Sequence, residues 1–452
     1  MHTLTGNRDQ VLQLMNNTLL KMQTTQQAGA ASVGSGEEGN DADVLAKLSA
    51  GLMEEQAGGG SASAASLNFE AQQNDDWYVP RNRSVAVFQS IMDEYLEEQN
   101  APEAPPKPRG ASAASTGEGE LSHQEIAASV FYGGAAPGSG GGEAMAAALM
   151  EQFDNLDPRW ASWVLVKATG WLKGKHKFIS HTSPNDFQFE MKDEATVAVV
   201  GDWGGGNAAA QAVAEQIKAI APDHIIHLGD VYYSGTPKET RERFLKYWPK
   251  PKDPGMSLAL NSNHEMYGGG YGYFDVTLPE FKQPASYFNL ANKNWQFIGL
   301  DTGYDEHDLH DPQAEWLAAQ LQNNGKKNIL FSHHQLFSAY ETADCSKLQA
   351  KVQPFLDAGK IYGWIWGHEH LCVAYQEFMG IKGVCLGNGC FPYNPPNNQA
   401  WIPVEWLNNR EQPDDPDYRG IHTFALMKVT PAQIDIQYID QDGFVGHTQT
   451  WS

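Results

Sequence analysis

The chain predicts an α/β fold, a four-layer α-β-β-α sandwich in which two mixed β-sheets lie between flanking helices. Three observations predict it. From residue 195 onward, short β-rich runs alternate with helix-like segments. Near the end the pattern changes to three successive β-like runs, 423–429, 433–438 and 443–451, with turn residues such as Asp440-Gln441-Asp442-Gly443 between them. Five of the apolar runs end within a residue or two in Asp, Asn or His. Alternating units build parallel strands, successive β runs build an antiparallel extension, and both need helices on their outer faces.

The elements follow in order. The run 196–200 leads into Gly201-Asp202, and residues 207–220 read as a helix. His224-Ile225-Ile226-His227-Leu228 is a short buried strand leading to Gly229-Asp230-Val231-Tyr232-Tyr233. Residues 240–248 read as a helix closed by Pro249. Leu258-Ala259-Leu260 precedes Asn261-Ser262-Asn263-His264-Glu265, followed by a Gly- and Tyr-rich loop over 267–273. A strand over 296–301, a helix over 312–322 and a strand ending at Ser332-His333-His334 come next. A helix over 346–358 and the strand Trp364-Ile365-Trp366, running into Gly367-His368-Glu369-His370, complete the alternation.

Composition divides the chain. Residues 1–143 read as an acidic, low-complexity extension with short helices, 144–190 as a Trp-rich helical lead-in carrying Trp160, Trp163 and Trp171, and 191–452 as the main domain. The first 150 residues hold 7 Lys and Arg against 19 Asp and Glu, half of the total net charge of −24. Gly58-Gly59-Gly60, the prolines of 102–108 and the glycines of 138–142 are linker composition. Amphipathic pieces occur at 11–22, 44–53 and 85–96, where Val85, Phe88, Ile91, Met92, Tyr95 and Leu96 share helical spacing. The expectation is weak helices in a solvated tail, with docking of a protein partner as the functional alternative.

The acidic balance excludes a general nucleic-acid or anionic-membrane binder. No stretch approaches the ~20 apolar residues of a membrane span. The polar start has no secretory hydrophobic region, which predicts a cytoplasmic protein. Cys345, Cys372, Cys385 and Cys390 form neither a CxxC site nor a disulfide framework; unpaired buried thiols are expected, with a Cys385–Cys390 pair as the alternative.

If the five strand ends converge, Asp, Asn and His form a mixed nitrogen and oxygen site suited to Zn, Fe or Mn rather than Ca or a thiolate cluster. The donors exceed the needs of one tetrahedral ion. Two ions ~3.5–4 Å apart, sharing one carboxylate, use them all. Taken singly, Asp202 and Asp230 read as turn carboxylates and His333 and His334 as core imidazoles. His224, His227, His307 and His310 are read as structural, Trp203 as a packing wall, and Glu369 as exposed or as support behind the ligands.

These motifs, Gly201-Asp202-Trp203-Gly204, Gly229-Asp230-Val231-Tyr232-Tyr233, Asn263-His264-Glu265, His333 and Gly367-His368-Glu369-His370, resemble the five ordered motifs of the calcineurin-like metallophosphoesterases. More narrowly they resemble the purple acid phosphatases, because Asp-Trp-Gly stands where most of the superfamily has Asp-x-His and a Tyr follows the bridging Asp by three. The run Pro284-Ala285-Ser286-Tyr287-Phe288 with Trp295-Gln296-Phe297-Ile298 fits the same family. The resemblance covers roughly 190–452.

It implies a dinuclear phosphoesterase that hydrolyses phosphate monoesters by attack of a metal-bridging hydroxide on a small phosphorylated substrate. One ion, ferric, is expected on Asp202, Tyr233, His370 and Asp230. The other, Zn2+, Mn2+ or Fe2+, is expected on Asn263, His333 and His368 with Asp230 as bridge; His334 is the alternative to His333. His264 is expected to contact phosphate or protonate the leaving oxygen, and Asn263, His334 and Glu341 to face the substrate. Two positions depart from the pattern. Ser262 stands where Gly is usual before Asn-His. Thr342 stands where a His is usual after Glu341, which raises a phosphodiesterase as the alternative activity and leaves Glu341 or Tyr340 to fill the gap. A partner-recruiting protein with a vestigial metal site is the reading from another class.

Overall fold

A computed structural model of the chain describes residues 8–30, 38–57, 78–100, 174–322, 325–341, 343–391, 402–412 and 420–452. The expected Trp-rich helices of the lead-in, the linkers of 102–108 and 138–142, and Thr342 lie outside the described residues.

Fourteen strands form two sheets among the described residues. In chain order they are β1 (Gln188–Glu190), β2 (Ala195–Val200), β3 (His224–His227), β4 (Met256–Ala259), β5 (Phe288–Ala291), β6 (Trp295–Gly299) and β7 (Lys327–Ser332). Then follow β8 (Gly363–Trp366), β9 (Cys372–Tyr375), β10 (Lys382–Leu386), β11 (Val404–Leu407), β12 (Thr423–Val429), β13 (Ile434–Asp440) and β14 (Val445–Trp451). The six-stranded sheet runs β14-β13-β12-β2-β3-β4, with β2, β3 and β4 parallel and the last three strands an antiparallel meander. The eight-stranded sheet runs β1-β5-β6-β7-β8-β10-β9-β11, with β6, β7, β8 and β10 parallel.

Side-chain alternation makes the layers. In β2, Val197 and Val199 join Ile226, Leu258, Ile329, Phe331, Ile365 and Val384 in the core between the sheets. Their neighbours Ala198 and Val200 face outward onto Ala210, Val213 and Ile217 of α4 (Ala208–Ile220). The helix starts where Asn207 accepts the Ala210 N–H as its cap. On the other outer face, Leu330, Trp364 and Trp366 receive Trp316 and Leu317 of α8 (Gln313–Gln320) and Leu348 and Val352 of α9 (Ser346–Asp357). Each buried aliphatic side chain contributes about 1.5–3 kcal/mol, so these layers hold the strand ends still. The architecture is the expected α-β-β-α sandwich.

Elsewhere the structure departs from expectation. The segment 240–248 is a capped turn α5 (Pro237–Glu239) continuing into a π-helical turn (Thr240–Leu245). Asn263 opens a short helix, α6 (Asn263–Tyr267), and the Gly/Tyr-rich stretch beyond it winds helically through 273–277 into α7 (Leu278–Phe281). The strands β1, β5, β9, β10 and β11 are runs of only three to five residues and were not legible in advance.

The front helices do not form a solvated tail. α1 (Arg8–Ala30), α2 (Glu38–Gln56) and α3 (Arg83–Asn100) bury Met15, Leu48, Phe88 and Ile91 in one cluster that includes Tyr267 of the main domain. Arg243 is buried between Asp93 of α3 and Glu239, and Ser90 bonds Ser234 at 2.7 Å and Glu239 at 2.9 Å. Of the residues at helical spacing in 85–96, Val85, Phe88, Ile91 and Met92 are buried in this cluster. No described helix is long and apolar enough to cross a membrane. All four cysteines are free thiols, Cys385 and Cys390 included.

Candidate metal centre

The donors leave the two sheets at the carboxyl ends of β2, β3, β4, β7 and β8, where a doubly layered sheet places its cleft. Backbone bonds lock those ends together. Gly201 N–H donates to Leu386 O, Asp202 N–H to Gly229 O and Gly367 N–H to His333 O, each at 3.0 Å. Asp202, Asp230, His368 and His370 all have left-handed backbone, with φ of 54, 75, 70 and 53°. That conformation costs a non-glycine residue about 1 kcal/mol or more, and such strain gathers at functional sites. Two glycines are sterically required. A Cβ at Gly229 (φ 106°) would lie 2.9 Å from His333 Nδ1, and one at Gly367 would lie 2.7 Å from Asp202 Oδ2.

Four predicted donors meet around His333. Its Nδ1 bonds the Leu228 carbonyl at 2.9 Å; a carbonyl only accepts, so Nδ1 carries the proton. Burial lowers the basicity of His333, which leaves Nε2 a bare lone pair. That lone pair faces Asn263 Oδ1 at 2.9 Å, Asp230 Oδ1 at 3.2 Å and His368 Nδ1 at 3.2 Å. Asp230 Oδ1 is buried and has no hydrogen bond. The Asn263 amide is oriented by its other end, whose Nδ2 donates to the Tyr267 hydroxyl at 3.1 Å. Acceptors turned toward one another in a dry pocket are the arrangement a cation resolves.

The second group holds Asp202, Asp230 and His370. His370 Nε2 lies 3.4 Å from Asp202 Oδ1. Burial, and then the charge of Asp230, push the Asp202 carboxyl well above its ordinary range, a conflict a shared cation removes. The tyrosine here is Tyr232. Its hydroxyl lies 3.1 Å from Asp230 Oδ2, 3.3 Å from Asp202 Oδ1 and 3.3 Å from His370 Nε2. This corrects the expectation for Tyr233, whose ring lies against the Arg243 guanidinium. The Tyr233 backbone donates to Glu239 and accepts from His264 Nδ1. Gly204 fixes the register by donating to Asp230 O and accepting from Tyr232 N–H, and the chain turns at Tyr232 and Tyr233 directly beyond. Tyr-Tyr in sequence carried no signal for choosing between them.

His264 lies with Nε2 3.9 Å from Asp230 Oδ2, its ring against Tyr232 and Tyr267. Because Nδ1 donates to Tyr233 O, Nε2 carries a proton only in the imidazolium form. Ser262, the departure from the usual Gly, caps α6 by accepting the His264 and Glu265 N–H groups. Glu265 accepts the Asp230 N–H at 3.2 Å; burial and the Asp230 charge raise it to about 8. Glu369 is buried, not exposed, and accepts from the Trp366 indole at 2.6 Å and from Ser338; burial and then Glu341 raise it to about 8. Trp203 is the expected packing wall, set edge-on to Phe244 and Trp248.

Two groups near the donors, Arg81 and His307, were not anticipated. Arg81, from the front extension, pairs with Glu341 at 3.1 Å, and its carbonyl accepts from the Tyr267 hydroxyl that orients Asn263. The Arg81 charge also depresses the basicity of His368 and His370, behind the larger effect of burial. His307, read as structural, lies beside His334 and His368, with ring centroids 4.1 and 5.6 Å away. Its place in the sequence, away from any strand-end motif, gave no signal.

The comparisons with known proteins follow this geometry. The family model described as calcineurin-like phosphoesterase matches residues 195–372. The tartrate-resistant acid phosphatase type 5 of Sus scrofa is 23% identical over 286 residues, covering 54% of this chain and 83% of that protein. The Homo sapiens protein of the same name is 22% identical over 298 residues, covering 56% and 90%. A dimetal phosphatase of known structure from Danio rerio aligns over 57% of this chain and 98% of its own with a TM-score of 0.39 and 13% identity. Residues 195–372 are a domain of the calcineurin-like phosphoesterase family, a family of two-metal enzymes, and its likeness runs to the purple, tartrate-resistant acid phosphatases.

Proposed function

We propose that this chain is a dinuclear phosphoesterase that hydrolyses phosphate monoesters. The observation that carries the reading is the bare Nε2 of His333, turned to Asn263, Asp230 and His368 with no proton to share. Asn263, His333 and His368 hold one ion and Asp202, Tyr232 and His370 the other, with Asp230 between them. Two bound cations supply Lewis acidity to the phosphoryl oxygens and lower the pKa of a water held there. Ferric iron suits the Tyr232 position. Burial, then the charges of Asp230 and Asp202, raise that phenol well above its ordinary range, so only a highly charged cation draws its proton off. The second ion is of the zinc, manganese or ferrous class.

The chain's own groups then divide the work. Asp230 bridges, with its backbone N–H fixed by Glu265. His264, its Nδ1 tied to Tyr233 O, presents Nε2 to a phosphoryl or leaving oxygen. Arg81 and Glu341 border the cleft and set the charge of what enters.

Metal-reconstituted protein assayed on p-nitrophenyl phosphate and bis(p-nitrophenyl) phosphate tests the reading. Monoester preference, lost with Asp230→Asn, is expected. Diester preference would replace the monoester part with a phosphodiesterase on the same scaffold. Full metal loading without either activity would leave a binding protein with a vestigial site.

A further inference from the structure

Beside the pair of ions, we propose a third cation position, a zinc-class divalent ion held by the imidazoles of His307, His334 and His368. The three residues each offer a ring nitrogen within 4.8 Å of the others. Their rings pack as a triangle, His307 to His334 at 4.1 Å, His334 to His368 at 4.7 Å and His307 to His368 at 5.6 Å between centroids.

The lone pairs are already aimed. His334 is fully buried, and its Nε2 has no hydrogen-bond partner, nor has Nδ1 of His307. A buried polar atom left unpaired costs about 1–3 kcal/mol, and two in one cluster ask for a common explanation. Thr302 bonds the His334 ring and the His307 backbone. Its Oγ1 meets His334 N–H at 3.0 Å and Nδ1 at 3.1 Å, and its carbonyl accepts the His307 N–H at 3.1 Å. An imidazole tied at one nitrogen by a hydroxyl, with the other bare, is oriented as metal-ligating histidines are. His307 is held in left-handed backbone at φ 56°, strained as the four proposed ligands are.

Charge is consistent with a cation here. The carboxylates of Glu341 and Asp344 act on His307. Arg81 opposes a cation near His368, but Glu341 already pairs with it. His368 stands between the groups. Its Nδ1 faces His333 at 3.2 Å, and a ring that ligated on both sides would do so as the imidazolate, its N–H proton released to solvent. Three nitrogens and no carboxylate select a borderline ion such as Zn2+, and three ligands leave a fourth position for a substrate oxygen or water.

The test is metal counting on the chelator-stripped full chain, reconstituted with one equivalent of Fe3+, then titrated with Zn2+ and measured by mass spectrometry as total metal, with Co2+ as a visible-spectrum probe. Three equivalents are expected in the wild type and two in His307→Gln and His334→Gln, with Thr302→Val weakening only the third and each variant removing one tetrahedral Co2+ band. Two equivalents in the wild type overturn the proposal whatever the variants do, as do three retained in His334→Gln. The dimetal reading fails separately. A single ion kept in Asp230→Asn and lost in His334→Gln leaves this site standing and removes the pair. Two ions lost in Asp230→Asn and untouched by His334→Gln do the reverse.

Discussion

Arg81 Nη1 lies 3.1 Å from Glu341 Oε1, a contact between residues 260 positions apart that brings the front extension to the mouth of the metal centre. In a chain of net charge −24, a guanidinium beside the cleft is the group that, on the proposed function, would draw a phosphate dianion in. Arg81→Ala is expected to raise KM about tenfold while bound metal stays constant, the loss of one charge-assisted contact. Steady-state kinetics beside metal analysis check it; an unchanged KM would separate Arg81 from the substrate.

The tyrosine hydroxyl at the carboxylates belongs to Tyr232. With ferric iron bound, the visible phenolate charge-transfer band should vanish in Tyr232→Phe and persist in Tyr233→Phe. An absorption spectrum of each purified variant decides this. The reverse pattern would mean that the 231–233 segment turns its other face to the metals.

Gly367→Ala should loosen metal binding without unfolding the domain. The added Cβ would come 2.7 Å from Asp202 Oδ2, in a position where both the carboxylate and the β8 end are fixed. A weakening of about tenfold or more in metal affinity corresponds to ~1.4 kcal/mol of displaced geometry. Competitive titration against a chelator measures it, and an unaltered affinity would show that Asp202 can move aside.

Asp93 tests whether the front helices are integral. Asp93→Ala leaves a buried charge with Glu239 as its remaining carboxylate, so it should cost about 1–3 kcal/mol, less than an unpaired buried charge. Arg243 is that charge, 6% exposed at its side chain. Thermal denaturation should show a lowered midpoint, and limited proteolysis should cut before residue 174 sooner than in the wild type. Identical melting curves would detach α3 from the folded unit.

His227 gives a pH signature. It is buried against Phe244 and Trp248, and burial lowers its pKa from 6.5 to about 3. Below pH 6.5 the unfolded chain binds a proton that the folded chain refuses, so stability falls as pH drops from 6.5 toward 3, by up to ~1.4 kcal/mol per unit. Metal-free protein unfolded in urea across this range should show the slope, and His227→Phe should reduce it. An equal slope in the variant would assign the acid sensitivity elsewhere.

Much of this was legible along the chain because apolar runs that end in ligand-type residues carry both messages at once. β2, β3, β7 and β8 and the donors Asp202, Asp230, Asn263, His333, His368 and His370 are all read from that one pattern. β9, β10 and β11 were not, because short runs show no alternation when they are buried throughout, as β9 is and β10 is past its first residue. α1 to α3 read as a tail because an amphipathic helix shows an apolar face but not what covers it.

By itself, then, the sequence determined the layer order, the strand ends and the donor types, since periodicity and residue chemistry are local properties. Only the tertiary structure decided which of two adjacent tyrosines reaches the carboxylates, that His307 stands beside His334, and that Arg81 closes on Glu341. The physical reason is that side-chain direction after a strand end depends on backbone bonds to another segment, here Gly204 to Tyr232, and such bonds exist only once distant parts of the chain have packed.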